Sequence, residues 1–391
     1  MIRQFPEERA EKRKALLQAV DGIRDILAAD AEDSERLRTL PEASVTALTN
    51  AGLFAMKCPR ELGGAEADPV TQLEVIEAVT YIDPTAGWCC LIGNGTLSVV
   101  AAFLPDDAIA QMFSGDRPPR MAGALMPGKA SRVSGGYRVT GRWSWGSGIR
   151  HAEWVGALTL VQSNGAAGPQ TRMVVFPVAQ AEIYDNWRVA GLKGTGSCDF
   201  SVSDLFVPEA FTFETTNWEP KRGGPLYKLG MPGLVINEHA GFALGVGQRA
   251  LDEIIELAKS KRRGYGKQVS LADRSVFQRT VAEGDLRLRA ARGLVTEVFE
   301  RAWQTVCEGN VPEPRLQAEM RSAATFATDV ALDVTSTAFR YGGGSSVWLN
   351  SILQRCLRDM YVAASHLMVN DSSYEDYGQF LLGLPYADPM G

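Results

Sequence analysis

The sequence predicts an α+β fold that is mostly α, in three successive parts: a helical domain over 1–115, an antiparallel β domain over 116–212 and a long-helix bundle over 213–391. Three observations carry this reading. Apolar residues recur at helical spacing in the first part, short β-branched and aromatic runs bounded by Gly, Asn, Asp and Pro replace them from about residue 120, and long apolar stripes return after Pro208. The length of 391 residues is more than one hydrophobic core usually serves.

The first helical pattern is set by Leu16, Leu17, Val20, Ile23, Ile26 and Leu27, and Pro41 and Pro59 punctuate the chain beyond it. Gly63-Gly64-Ala65-Glu66-Ala67-Asp68-Pro69 reads as a loop, and the helical period resumes over 70–79. Residues 84–105 hold no charge, a length that could span a bilayer. Gly87, Gly93, Asn94, Gly95, Thr96 and Ser98 interrupt the run, so it is expected to be a helix buried on all sides inside a soluble protein. Strands are expected at 137–143, 154–161, 172–178 and 200–207. Stripes over 246–261, 276–303, 315–340 and 353–368 predict long helices joined by short turns, with Ser270 and Asp273 as cap and first-turn acid of the second.

Composition narrows the function classes. Apolar residues at 45% and charged residues at 22% fit a globular chain, and 40 basic against 46 acidic residues, scattered, leave a net charge of −6 and no field for a phosphate backbone. No nucleic-acid partner is expected. Cys58, Cys89, Cys90, Cys198, Cys307 and Cys356 form no CxxC pair, and His151, His239 and His366 lie far apart, so neither a zinc site nor a disulfide framework is suggested. Residues 1–14 are dense in charge where a secretory signal needs an apolar stretch; a cytoplasmic protein with no membrane span is expected.

Several segments, in order, resemble one family. Gly52-Leu53-Phe54 with Pro59-Arg60-Glu61-Leu62-Gly63-Gly64 is similar to the start of acyl-CoA dehydrogenases. Gly141-Arg142-Trp143-Ser144-Trp145-Gly146-Ser147-Gly148, followed by His151-Ala152-Glu153-Trp154, resembles the flavin-facing segment of their two-component, reduced-flavin-dependent (group D) monooxygenase relatives. Gly194-Thr195-Gly196-Ser197, Val207-Pro208, Tyr341-Gly342-Gly343-Gly344 and Arg358-Asp359 complete the set. The resemblance implies a central antiparallel β-barrel. It also implies a reduced FMN or FAD cofactor delivered by a separate NAD(P)H-dependent flavin reductase, dioxygen and a small aromatic or heteroaromatic substrate hydroxylated through a flavin C4a-hydroperoxide. A homotetramer is expected, because the family completes its cofactor site across subunits and long helices need partners for their stripes. No NAD(P)H fingerprint is visible in the sequence itself: Gly191-Leu192-Lys193-Gly194-Thr195-Gly196-Ser197 lacks GxGxxG spacing and no helix pattern opens after it.

Site residues are implied in the same way, each beside a plainer reading. Ser147, a turn serine by itself, corresponds to the hydroxyl near flavin N5, and Trp145 would lie against the ring. Thr195 and Ser197, in what could be an ordinary β-turn, would contact the ribityl chain or phosphate. Gly343 allows close backbone approach to a cofactor or simply caps a helix. Arg262 and Arg263 read as the basic end of a helix, and the resemblance implies that one of the two, with Arg263 the candidate, reaches the cofactor phosphate of a neighbouring subunit. Trp88, Asn94 and Thr96 would face substrate. His366, beside the stripe Leu353, Leu357, Met360, Ala364 and Leu367, stands where related hydroxylases place a histidine over the flavin; it would act as acid, base or hydrogen-bond donor, or else be a packing residue. His151 reads as a strand-end structural residue, and His239 as a helix residue with no assigned role.

Two departures matter. Family members with a second histidine on the buried N-terminal helix differ from this chain, which offers Asn94 and Thr96 there. The segment 365–370 lacks the glutamate of an acyl-CoA dehydrogenase, and Glu375 lies nine residues beyond His366. Oxygenation is therefore preferred to an FAD-dependent acyl-CoA dehydrogenase, and to a non-catalytic helical binding or scaffold protein retaining the fold.

Overall fold

The N-terminal stripe belongs to two helices, α1 (Arg9–Asp21) and α2 (Arg24–Leu37), which break at Gly22 and Ile23. Leu16, Val20 and Leu27 are buried while Ile26 is 41% exposed, and the Glu8 carboxylate caps α1 by accepting from the amides of Ala10 and Glu11. The structure, a computed structural model, describes residues 4–161, 170–216, 219–264 and 269–390, with only the backbone of Arg263. It divides into two units: Met1–Asp68, Trp88–Val189 and Lys193–Lys228 form the first, and Pro69–Gly87, Ala190–Leu192 and Leu229–Gly391 the second.

In the first unit, α3 (Glu42–Asn50) starts directly after Pro41. Of the next two helices, α4 (Pro69–Ile82) belongs to the second unit, and α5 (Pro84–Phe103) runs from Trp88 onward in the first. The helix α5 is long and apolar enough to cross a membrane, yet 83% of its most apolar window is buried, so its lack of charge serves packing. A short α6 (Asp106–Met112) precedes the strands.

Seven strands come next: β1 (Met121–Val133), β2 (Gly136–Gly146), β3 (Trp154–Val161), β4 (Gln170–Pro177), β5 (Glu182–Ile183), β6 (Cys198–Pro208) and β7 (Thr212–Glu214), in the order β5-β6-β2-β1-β3-β4-β7. The expected barrel is corrected here: the sheet is open, since its outermost strands β5 and β7 have two and three residues and do not pair with each other. Edges this short offer little backbone for closure. The sheet is antiparallel except for the parallel pair β1 and β3. The sequence did not reveal β1, because Gly123, Pro127 and Gly128 break its alternation and the register shifts between Ala124 and Gly128. That break makes room for Trp143. A Cβ on Gly128 or Gly141 would come within 2.4 or 2.6 Å of the indole, which is fully buried, stacks on Phe200 at 5.3 Å and donates Nε1–H to the Leu158 carbonyl at 3.0 Å.

The second unit is helical: α4, then α7 (Gly230–Ser260), a hairpin of β8 (Arg262–Arg263) and β9 (Val269–Ser270), α8 (Ser275–Cys307), α9 (Pro314–Gly342), α10 (Ile352–Ala364) and α11 (Ser372–Leu381). The stripe over 246–261 is the last half of α7, which starts 16 residues earlier. Its first half is rich in glycine because α4 lies against it: a Cβ on Gly241 would sit 2.4 Å from the Leu73 carbonyl oxygen. Three further expectations are corrected. Arg262 and Arg263 do not end the helix but form β8, because α7 stops at Ser260. Ser270 is in β9 rather than a cap; α8 begins after Arg274 with no side-chain cap. The helix expected over 353–368 stops at Ala364, and its buried face is Leu353, Cys356, Met360 and Ala363, with Leu367 43% exposed. The turn at Gly264-Tyr265-Gly266 lies largely outside the described residues.

Candidate active site

Strand β2 delivers the first group of candidates. It ends at Gly146, and the chain turns through Trp145 (φ 64°) and Gly148 (φ 74°), both in the left-handed region, with the Ser147 amide donating to the Trp145 carbonyl at 2.8 Å. A tryptophan at positive φ is a strained placement, and this one leaves the indole 61% exposed. The Gly148 amide donates to the Thr195 carbonyl at 2.9 Å, which joins this turn to the segment before β6. Three hydroxyls meet there: Ser147 Oγ to Ser197 Oγ is 2.7 Å, and Ser197 Oγ to Thr195 Oγ1 is 2.7 Å. Trp88, on α5, donates Nε1–H to Ser147 Oγ at 3.1 Å. All four residues are buried. An indole N–H can only donate, so Ser147 accepts from it and keeps its own proton for Ser197 or for a ligand.

Asn94 and Thr96 share α5 with Trp88 but do not join this cluster. The buried Asn94 amide donates to the carbonyls of Leu53 (2.7 Å) and Cys90 (2.9 Å), while its Oδ1 accepts from the Lys57 amide at 3.3 Å. Its polar atoms are thus spent on the backbone. Thr96 donates to the Ile92 carbonyl at 3.0 Å and packs on Gly123, where a Cβ would come within 2.3 Å of its hydroxyl. His151 sits in a single helical turn, Ile149–His151, and not at a strand end. Burial, aided by the Arg120 charge, lowers its pKa to about 4.

In the second unit, His366 comes after α10 and caps the turn Leu367–Val369: its Nδ1 accepts from the Met368 amide at 3.3 Å. Burial lowers its pKa to about 4, so the ring is neutral at pH 7. A neutral imidazole that accepts at Nδ1 carries its proton on Nε2, an assignment made from this hydrogen bond. It is therefore a hydrogen-bond donor at Nε2. The ring of His239, on α7 and 5% exposed, lies 4.5 Å from that of His366, centroid to centroid. Sequence reasoning missed this partner, because 127 positions separate the two and the only signal was a histidine on an apolar, glycine-rich face.

The remaining candidates take plainer places. Gly343 (φ 53°) caps α9, its amide donating to the Arg340 and Phe339 carbonyls, so the capping reading holds. Lys261 Nζ donates to Ser345 Oγ at 2.6 Å, which sets the start of the β8 hairpin beside this turn. Arg263 contributes backbone to β8, and its side chain lies outside the described residues. The Arg358-Asp359 pair holds residues 190–192: Arg358 Nη1 donates to the Ala190 carbonyl at 2.7 Å, and Asp359 Oδ1 accepts from the Leu192 amide at 2.5 Å. Glu375 is exposed in the first turn of α11. A cleft of about 480 Å³ between α7, α8 and α9, lined by Leu251, Phe277, Arg287 and Tyr341 among others, includes none of the candidates.

The donor set suits the expected flavin. Buried neutral hydroxyls and an indole N–H can complement ring and ribityl oxygens and nitrogens without burying a charge, and an exposed indole beside them offers an aromatic face. Comparison with known proteins agrees. The family models described as acyl-CoA dehydrogenase, N-terminal domain and acyl-CoA dehydrogenase, C-terminal domain match residues 10–107 and 238–371. Indole-3-acetate monooxygenase of Pseudomonas putida is 30% identical over 98% of this chain and 97% of its own. The FADH(2)-dependent resorcinol hydroxylase, oxygenase component, of Rhizobium sp. (strain MTP-10005) is 26% identical over 96% of this chain and 95% of its own. The solved structure of XiaF from Streptomyces sp. in complex with FADH2 and glycerol superposes with a TM-score of 0.91, at 25% identity and 98% coverage of both chains. With matches of this extent on both sequence and fold, the chain belongs to the acyl-CoA dehydrogenase superfamily, as an oxygenase component of the flavin-dependent monooxygenases.

Proposed function

We propose that this oxygenase hydroxylates a small aromatic or heteroaromatic substrate, with His366 donating a hydrogen bond from Nε2 to the reacting oxygen. The observation that carries the reading is the hydrogen bond from the Met368 amide to His366 Nδ1: with its acceptor nitrogen engaged, and with burial lowering its pKa to about 4 so that the ring is neutral, this imidazole can polarise oxygen but cannot replace the carboxylate base of a dehydrogenase. Glu375, the glutamate nearest to it in sequence, is exposed. The substrate classes of the relatives, indole-3-acetate and resorcinol, support an aromatic substrate.

Bound reduced flavin supplies the two electrons that reduce dioxygen, so that one oxygen atom enters the substrate and the other leaves as water. A separate flavin reductase supplies that flavin, as the relatives' status as oxygenase components implies. Ser147 would hold the ring edge with the proton that Trp88 leaves to it, and Thr195 and Ser197 would bind the ribityl or phosphate oxygens; by the family resemblance, Trp145 would cover a ring face and Arg263 and Gly343 would serve the phosphate. Trp88 presents its ring to the substrate, while Asn94 and Thr96 serve it by fixing the helix that carries Trp88. The protein acts in the cytoplasm as a homotetramer, with functional parts over 1–115, 116–212 and 213–391; the change from α6 to β1 and from β7 to α7 supports the division.

The test is turnover under ¹⁸O-labelled dioxygen with an added flavin reductase, NAD(P)H and a panel of phenols and indoles. Labelled hydroxylated product supports the reading. Reduction of bound FAD by an acyl-CoA, with no labelled product from any aromatic compound, would replace it with dehydrogenation. Light scattering tests the assembly, and a mass of 42.4 kDa, that of one chain, would refute the tetramer.

A further inference from the structure

We propose that Arg321, paired with Asp376, is a positioning residue that holds His366 in its working orientation and affects oxygen transfer only through that imidazole; the proposal rests on the role given to His366 above. Arg321 lies on α9 and is 4% exposed, as is Asp376 on α11. Its Nη1 donates to Asp376 Oδ2 at 2.7 Å. The rest of the guanidinium is turned on the segment just after His366. Nε donates to the Met368 carbonyl at 3.4 Å, and Nη2 reaches the Leu367 carbonyl (3.4 Å), Asn370 Oδ1 (3.4 Å) and Ser372 Oγ (3.1 Å).

Met368 links the two ends of the device. Its amide donates to His366 Nδ1, and its carbonyl accepts from Arg321, so the plane of the imidazole is set by a short stretch of backbone that the guanidinium grips. The Val369 amide adds a bond to the His366 carbonyl at 3.0 Å, and Ser322, next to Arg321, donates to the Ser373 carbonyl at 2.7 Å. The ring of His239 packs on that of His366, tilted by 31°. For stability alone, an apolar pair of similar volume would serve as well as a buried ion pair. A planar fork with five donors is what distinguishes this site, because it faces five acceptors at once, the Asp376 carboxylate, the Leu367 and Met368 carbonyls, Asn370 Oδ1 and Ser372 Oγ, against the three donors of a compact ammonium group. The consequence falls on His366: a misplacement of about 1 Å at a reacting group is enough to cost about 10²-fold in rate.

The experiment compares Arg321→Lys, which keeps the charge opposite Asp376 but loses the fork, in the wild-type and His366→Ala backgrounds. Product formed and hydrogen peroxide released per dioxygen are measured in single turnovers, kcat and the substrate KM in steady-state turnover with an added flavin reductase, and hydrogen exchange at the Met368 and Val369 amides is followed in the flavin-free chain. The expected result is a loss of oxygen transfer of about tenfold or more in the wild-type background, carried by kcat with the substrate KM unchanged, no further loss in the His366→Ala background, and faster exchange at both amides. An equal loss in the two backgrounds, or unchanged exchange, overturns the clamp. Full oxygen transfer by His366→Ala alone overturns instead the role of the imidazole, and the two failures are thereby told apart. If Arg321→Lys does not fold, Ser372→Ala removes a single partner at the edge of the clamp; a loss of about twofold that vanishes in the His366→Ala background supports the proposal, and one that persists there overturns it.

Discussion

Acidification provides a direct test of the burial of His366. Its pKa falls from 6.5 to about 4 because the folded chain desolvates the charged ring, whereas the unfolded chain protonates it at the ordinary value. The unfolded state therefore binds the proton first. The stability contributed by the neutral ring is complete above pH 6.5 and is lost as pH falls from 6.5 through about 4. The full difference is about 3 kcal/mol, of which about 2 kcal/mol should disappear between pH 7 and pH 4.5. His151 obeys the same rule in the first unit, since its pKa is also lowered to about 4. Urea unfolding of the flavin-free chain at the two pH values, compared with that of His366→Gln, isolates the contribution of one ring. The variant should lose about 2 kcal/mol less than the wild type on going from pH 7 to pH 4.5. If both lose the same amount, the ring is not desolvated, and the neutral Nε2–H donor inferred from it has no basis.

Substitutions at three positions separate the roles given to the site residues. His366→Gln can restore a donor near the Nε2 position, whereas His366→Asn can restore only the Nδ1 acceptor, so Gln should retain more of the single-turnover hydroxylation rate; His366→Ala should lose about 10²-fold, and equal rates in Gln and Asn would refute the donor role. Ser147→Ala removes the hydroxyl that joins Trp88 to Ser197 and should raise hydrogen peroxide release per dioxygen more than it weakens flavin binding, because one net hydrogen bond contributes only about 0.5–1.5 kcal/mol; unchanged coupling removes Ser147 from the site. Asn94→Ala leaves the buried Leu53 carbonyl without its donor and should lower stability by about 1–3 kcal/mol, with kcat/KM for the substrate unchanged in the folded protein; the reverse pattern in thermal unfolding and kinetics would return Asn94 to the substrate.

The long helices were legible because their burial is one-sided. Stripes over 276–303 and 315–340 fall inside α8 (Ser275–Cys307) and α9 (Pro314–Gly342), where one face is covered and the period survives. Helix α7 was half visible for the opposite reason. From Gly230 to Gly247 it is buried nearly all round, with residues chosen for closeness to α4, so no stripe forms. Strand β1 failed for a similar cause, its alternation broken by Gly123, against Thr96, and Gly128, which admits Trp143. Sheet closure is a long-range property, and nothing in the spacing of individual strands distinguishes an open edge from a paired one.

The site divides along the same line. Ser147, Thr195 and Ser197 look like ordinary turn residues by themselves and are singled out by the family resemblance; the structure joins them through 2.7 Å contacts. Asn94 is singled out by the family position of a second histidine; the bonds of its side chain to the carbonyls of Leu53 and Cys90 and the amide of Lys57, two of them long-range, could not be read from the sequence. His366 was placed on a helix, and the end of α10 at Ala364 changes its chemistry as well as its position. On a helix its ring nitrogens would be equivalent candidates for base or donor. As the cap of a separate turn, it has Nδ1 committed to the Met368 amide, which places the proton of the neutral ring on Nε2. The tautomer, and with it the choice between abstracting a proton and polarising oxygen, is therefore fixed by where one helix stops.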